Sequence, residues 1–232
     1  MAERHHPTLA EIADDLRGGR LRQELRGSWA IAVLYRAPSL PLVWLCARAG
    51  LAPMAVTLLG MALALALPAL AWALPLPAAP WVVALGGALF QVLDCVDGTL
   101  ARVTGRSSTR GADMDFFVDM LQWVTLYLAI GLLADRVLGG GWGWTALAGG
   151  AASGRLLARM VRDRVEQRMP APAAPPAPLA PGDWPVVIVA GVSGLLPFLA
   201  LTGSWLGVSV AALGVYALLD IVDALRPVMR GA

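Results

Sequence analysis

Four aspartates, Asp94, Asp97, Asp115 and Asp119, sit at the ends of two strongly apolar segments, with Gly98, Ala101, Arg102 and Gly111 between them. An ionised carboxylate at the centre of a bilayer costs about 2.5 to 3.5 kcal/mol on insertion scales, and less near an interface, so four together need a compensating partner. A divalent cation is the obvious one. Hard oxygen ligands in this number suit Mg2+ or Mn2+, whereas zinc would favour His or Cys, and neither is placed to help. Gly98 and Gly111 remove side chains where a ligand or a neighbouring backbone must come close, and Arg102 offers a planar fork of donors for phosphate.

The elements that would position these groups are two helices and a turn. At about 100° per residue, Asp94, Asp97, Gly98 and Ala101 share one stripe of a helix, and Asp115 and Asp119 are an i, i+4 pair on a second. A short polar turn between the helices lets all four carboxylates point into one gap. Ser107, Ser108 and Thr109 in that turn carry hydroxyls that suit a nucleotide, and they are also ordinary turn residues. Cys95 has no His close in sequence and reads as a small packing residue.

The chain of 232 residues is 58 % hydrophobic and 15 % charged, a balance that belongs to a polytopic membrane protein rather than to a soluble domain. All of its basic side chains except His are Arg, and these are spread over segment ends instead of gathered in one block, which argues against a nucleic-acid partner. The two cysteines, Cys46 and Cys95, imply no disulfide framework. No apolar leader is visible in the polar residues 1–27, where Leu9, Ile12 and Leu16 at helical spacing predict an amphipathic segment interrupted at Gly18 and Gly19. Residues 28–52 carry Arg36, Pro38 and Pro41 in mid-segment and read as a juxtamembrane helix in the interface, anchored by Trp44.

The expected fold is an all-α integral membrane protein of six transmembrane helices at 53–74, 81–102, 111–134, 141–164, 184–202 and 205–225, preceded by the N-terminal amphipathic juxtamembrane helix. This divides the chain into an interfacial segment 1–52, a membrane domain 53–226 and a tail 227–232. A Pro/Ala linker at 170–182 is expected to be extended. Arginines crowd one side of these spans, and only Arg136 falls on the other. Both termini and the aspartate site are therefore expected on the cytoplasmic face of the cell's inner membrane, with Trp72, Trp81, Trp142, Trp144 and Trp205 at the opposite interface.

The spacing D-x2-D-G-x2-A-R-x8-G-x3-D-x3-D resembles the signature of the CDP-alcohol phosphotransferase superfamily, membrane enzymes that make phospholipids from CDP-activated donors, and all eight of its positions are filled. The resemblance implies that Asp94, Asp97, Asp115 and Asp119 share two divalent cations, that Asp119 is also the general base toward an acceptor hydroxyl, and that Gly98, Ala101, Arg102 and Gly111 line a cytidine diphosphate pocket. It further implies a homodimer, a CDP-linked lipid donor, a small polar alcohol acceptor, and release of CMP. Members of the family often open the first span with Pro-Asn and a Thr; here Pro53 and Thr57 match while Met54 replaces the Asn. Thr57 and Ser108 are the further candidates for the nucleotide side.

CDP-diacylglycerol is the favoured donor, with inositol phosphate or glycerol phosphate as the acceptor type. Transfer of phosphocholine or phosphoethanolamine onto diacylglycerol is the alternative inside the superfamily. A cation transporter is the rival from another class, since carboxylates in membrane segments also mark ion paths. Arg155, Arg159 and Arg162 at i, i+4, i+7 share a helical face, and Arg155 and Arg159 are the candidates for an acceptor phosphate. Asp220 and Asp223 repeat a DxxD spacing without the Gly, Ala or Arg that follow it in the signature, and are expected to pair with Arg226.

Overall fold

The structure, a computed structural model, describes residues 7–17, 20–168, 187–188 and 191–229, and among these it is helical with no strand. Residues 1–6, the Gly18–Gly19 break, the Pro/Ala linker and the last three residues of the tail lie outside the described residues, as does part of the span expected at 184–202. Four short helices come first: α1 (Leu9–Arg17), α2 (Arg20–Gly27), α3 (Trp29–Leu34) and α4 (Arg36–Arg48). Four long ones follow as α5 (Pro53–Ala73), α6 (Ala79–Val103), α7 (Thr109–Leu138) and α8 (Gly143–Glu166). A 3-10 stretch, Val192–Leu201, leads to a short turn, Gly203–Trp205, and the last helix, α9 (Leu206–Met229).

Among the described residues, four stretches are long and apolar enough to cross a membrane: α5, α6, α7, and Gly203–Met229. The chain is an integral membrane protein on this count. α8 has the length, but Arg155, Arg159, Arg162, Asp163, Arg164 and Glu166 load its second half with charge. Large apolar side chains such as Leu85, Leu157, Trp81 and Leu218 are exposed, as lipid-facing residues would be.

The chain folds as two compact units, the first built from residues 1–66, 84–122 and 181–198, the second from 67–83, 123–180 and 199–232. In the first, Thr8 and Glu11 close a reciprocal capping box at the start of α1: the Glu11 N–H donates to Thr8 Oγ1 at 3.2 Å, and the Thr8 N–H donates to Glu11 Oε2 at 2.7 Å. Ile12 and Leu16 are buried while Leu9 is exposed, so the amphipathic pattern faces inward from its second turn. Ile12 joins Tyr35, Val43, Val56, Val92, Val96 and Leu100 in one apolar cluster.

Residues 28–52, expected as one juxtamembrane helix, hold two helices, α3 and α4, broken at Tyr35. Tyr35 is buried and its hydroxyl donates to the Gly194 carbonyl at 2.6 Å; burial pushes its pKa up to about 12, so it stays a donor at physiological pH. Trp44, expected as a membrane anchor, packs against the apolar cluster and carries the Arg48 guanidinium 4.6 Å above its ring.

The α6–α7 elbow has a clear local cause. The Arg106 N–H reaches the Ala101 carbonyl at 2.7 Å and the Gly105 N–H reaches that of Arg102 at 3.0 Å, the paired bonds of a Schellman ending, with Gly105 at φ +64°. Ser108 then caps α7 by accepting the Gly111 N–H at 3.1 Å. A helix stop and a helix start within six residues fold the two motif helices back toward each other.

In the second unit, α8 and α9 pack along each other. Asp135 near the end of α7 caps α8 from outside, accepting the backbone N–H groups of Trp144 at 3.1 Å and Thr145 at 2.9 Å and the Thr145 hydroxyl at 2.6 Å. Trp72 and Trp142 stack with ring centroids 5.1 Å apart.

Candidate active site

In the first unit the elbow brings one carboxylate oxygen from each of Asp94, Asp97 and Asp115 within 4.8 Å of one another. Asp119, one turn beyond Asp115 on α7, is near enough to act on Asp94 electrostatically. Asp97 is only 5 % exposed, and its Oδ2 accepts the Thr57 hydroxyl at 2.6 Å across from α5. Thr57 thus orients a carboxylate, and its own register on α5 is held by a weaker bond to the Pro53 carbonyl at 3.3 Å.

Several carboxylates cannot all carry charge at this separation in apolar surroundings without added positive charge. The donor set is all hard oxygen, on two helices with Gly98 and Gly111 between, and it fits Mg2+ or Mn2+. Arg36 on α4 acts on Asp94 electrostatically, and its Nη1 also reaches the Cys95 carbonyl at 3.3 Å. Burial opposes the charge on Arg36, but its hydrogen bonds to Glu24 and the nearby carboxylates hold its pKa above the ordinary value.

A cavity of about 490 Å³ opens beside the carboxylates. Pro53, Met54 and Thr57 line it from α5; Asp97, Gly98, Ala101 and Arg102 from α6; Arg106, Ser107 and Ser108 from the turn; Gly111, Ala112 and Asp115 from α7. Every residue expected on the nucleotide side therefore lies on this one wall. Met54, standing where the family often has Asn, lies there too. A Cβ at 98 would stand 3.3 Å from Arg102 Nη1 and one at 111 would stand 3.2 Å from Ser108 Oγ, so a side chain at either position would press on the cavity wall.

Sequence reading missed Arg106, whose Nη1 lies 3.5 Å from the Leu51 carbonyl, and the acidic partners of the arginines. Arg36 is clamped by both oxygens of Glu24, and Arg102 pairs with Asp15 at 3.1 Å. The acid-rich spacing of residues 11–24 was the available signal, but nothing in it indicated which basic residues these acids would meet.

Arg155 and Arg159 belong to the second unit. Arg155 is 4 % exposed, with its guanidinium 4.2 Å from the Trp123 ring and 4.7 Å from the Tyr216 ring. It also donates to the Tyr127 hydroxyl at 3.3 Å and pairs with Asp220 at 3.6 Å. Arg162 meets Asp220 at 2.6 Å and Asp223 at 3.2 Å. Asp220 therefore takes arginines of α8 in place of the expected Arg226, which pairs with Asp223 at 3.5 Å where both are more than half exposed. Arg159 pairs with Asp163 at 3.0 Å and keeps 39 % of its side chain exposed.

An elbow of two apolar helices thus carries clustered carboxylates beside a cavity with arginine on its wall, a donor set that suits a divalent cation next to a phosphate-containing ligand. The profile of the CDP-alcohol phosphatidyltransferase family matches residues 50–216, well over half of the chain, and the chain belongs to that family. Its members transfer phosphatidyl groups from CDP-alcohols to alcohol acceptors in phospholipid synthesis and use divalent cations. Comparison with curated proteins found no match.

Proposed function

We propose that this chain transfers a phosphatidyl group from CDP-diacylglycerol to the hydroxyl of a small polar alcohol, of the inositol phosphate or glycerol phosphate type, releasing CMP. The observation that carries the reading is the convergence of Asp94, Asp97 and Asp115 within 4.8 Å beside a cavity whose wall holds Gly98, Ala101, Arg102, Ser108 and Gly111. Asp94, Asp97, Asp115 and Asp119 would hold two Mg2+ or Mn2+ ions. When bound, the ions neutralise the donor pyrophosphate and the charge that develops on the leaving CMP.

The chain's own residues supply the rest. Arg102 offers the donor phosphates a planar fork, and the glycines let backbone approach the nucleotide. Thr57 fixes the rotamer of Asp97 through their hydrogen bond. Asp119 takes the proton of the acceptor hydroxyl as that oxygen attacks phosphorus, and the bond to the CMP oxygen breaks in line. Arg159, paired with Asp163, is the candidate for an acceptor phosphate, whereas Arg155, enclosed by two aromatic rings, Tyr127 and Asp220, is assigned to holding α8 against α9.

The proposal includes six spans, with 141–164 and 184–202 added to the four apolar ones, both termini and the site on the cytoplasmic side, the N-terminal helices in the interface, and a homodimer. The distribution of arginines supports the orientation. The test is CMP release by purified protein given CDP-diacylglycerol, Mn2+ or Mg2+, and acceptors offered one at a time. Metal-dependent release with a single acceptor is expected; no release with any acceptor, in protein that binds CDP, would rule out CDP-diacylglycerol as donor to these alcohols.

A further inference from the structure

Arg102 is where the N-terminal helices meet the cavity. Its Nε donates to Asp15 Oδ2 at 3.1 Å, and its Nη2 donates to Thr99 Oγ1 at 3.1 Å, one turn back on α6. The same Thr99 hydroxyl accepts from Arg36 Nη1 at 3.3 Å, and Arg36 is clamped by both carboxylate oxygens of Glu24. Asp15, Arg102, Thr99, Arg36 and Glu24 thus form one continuous polar chain joining α1, α6, α4 and α2. Apolar packing fixes the same docking: Ile12, three residues before Asp15, is fully buried in the cluster that contains Val96 and Leu100 of α6.

An arginine that must meet a phosphate loses rotamer freedom on binding unless the protein has already fixed it. One acceptor at Nε and another at Nη2 set both the position and the plane of the Arg102 guanidinium. Thr99 is itself braced from the opposite side by Arg36. The side chains of Asp15 and Arg102 are each about a quarter exposed, so the pair is shielded without being sealed from the cavity that Arg102 lines.

We propose that Asp15 is a positioning residue for donor binding: α1 docks on the motif helix, and its carboxylate holds Arg102 oriented toward the diphosphate of a nucleoside diphosphate, with Glu24 and Arg36 bracing Thr99. This rests on the reading of the cavity as the donor pocket. The N-terminal helices are then part of the substrate site as well as an interfacial segment.

The test is the Kd for CDP in the presence of Mn2+, measured by calorimetry on the full-length protein. Asp15→Asn is expected to weaken CDP binding about tenfold, Asp15→Glu to recover most of the loss, and Glu24→Gln to weaken binding a few-fold from the other end of the chain of contacts. In an Arg102→Ala background, Asp15→Asn should have no further effect, because its influence passes through the guanidinium. Unchanged or tighter CDP binding in Asp15→Asn, or the same loss with Arg102 absent, would overturn the assignment. A wild type that does not bind CDP would bring down the donor-pocket reading and this inference with it, whereas CDP binding that is lost in Arg102→Ala but intact in Asp15→Asn would remove the inference alone.

Discussion

Two clusters of charged side chains lie on the long helices of this protein, and they are built oppositely. The cluster on α6 and α7 gathers like charges: Asp94, Asp97 and Asp115 converge, and Asp119 acts on Asp94 electrostatically. The cluster on α8 and α9 is balanced within itself, Arg155 and Arg162 against Asp220 and Asp223, with Trp123 and Tyr216 against the Arg155 guanidinium. A balanced cluster satisfies its own electrostatics and serves to hold helices together. Converging carboxylates keep their repulsion until something positive arrives, and they mark a place for a ligand.

The contrast can be broken most sharply by substitutions that pull function and stability apart. Asp119→Asn should lower turnover by about 10² to 10⁴, the usual range for losing a general base, while thermal stability holds or rises because a like charge has gone. Activity assays beside melting curves in detergent check this, and a variant with unimpaired turnover would remove Asp119 as the base. Arg155→Met should do the reverse of Asp119→Asn on stability: breaking a buried pair costs about 3 to 5 kcal/mol, because Asp220 loses part of its compensation. Arg162 still holds Asp220, so the lower end of that range is expected by denaturant titration.

Thr57→Val takes away one charge-assisted hydrogen bond to Asp97, worth about 1.5 to 3 kcal/mol, and should cost roughly 10- to 100-fold in kcat/KM. Thr57→Ser, which keeps the hydroxyl, should recover most of that activity. The smallest effect is expected at the rim of the balanced cluster. Arg226→Ala removes an exposed pair with Asp223 and should shift stability by no more than about 0.5 kcal/mol, measured in the same unfolding experiment.

The two clusters also differ in how much of them could be read from sequence. The carboxylates could, because their spacing is local: i, i+3 on one helix, i, i+4 on the next, and a turn whose Gly105 and Ser108 provide the stop and the start. The α6 and α7 parts of the cavity wall, Gly98, Ala101, Arg102 and Gly111, follow from the same local spacing, whereas Arg106 does not. The partners of the arginines could not be read, because each is a choice among distant helices. Asp220 meets Arg155 and Arg162 across about 60 residues, although Arg226 stands closer in sequence, and Asp15 finds Arg102 across 87.

The same limit explains the N-terminal region. Ile12 and Leu16 showed an apolar face on the sequence, yet a membrane surface and a neighbouring helix make the same demand on such a face. Ile12 packs against α6 residues, so at least that part of the face is met by the protein. For α8, length and a run of small apolar residues suggested a span, while the arginines that set it apart from α5, α6 and α7 are taken up by aromatic rings and acids of its own unit.

The most direct test of the central claim is a Mn2+ titration of the purified protein in the presence of CDP, followed by electron paramagnetic resonance, for the wild type and for Asp97→Asn. The account predicts saturable Mn2+ uptake by the wild type, and loss of that uptake in a variant that melts at or above the wild-type temperature. Equal uptake by both proteins, or none by the wild type, would contradict the assignment of the converging carboxylates as a metal site.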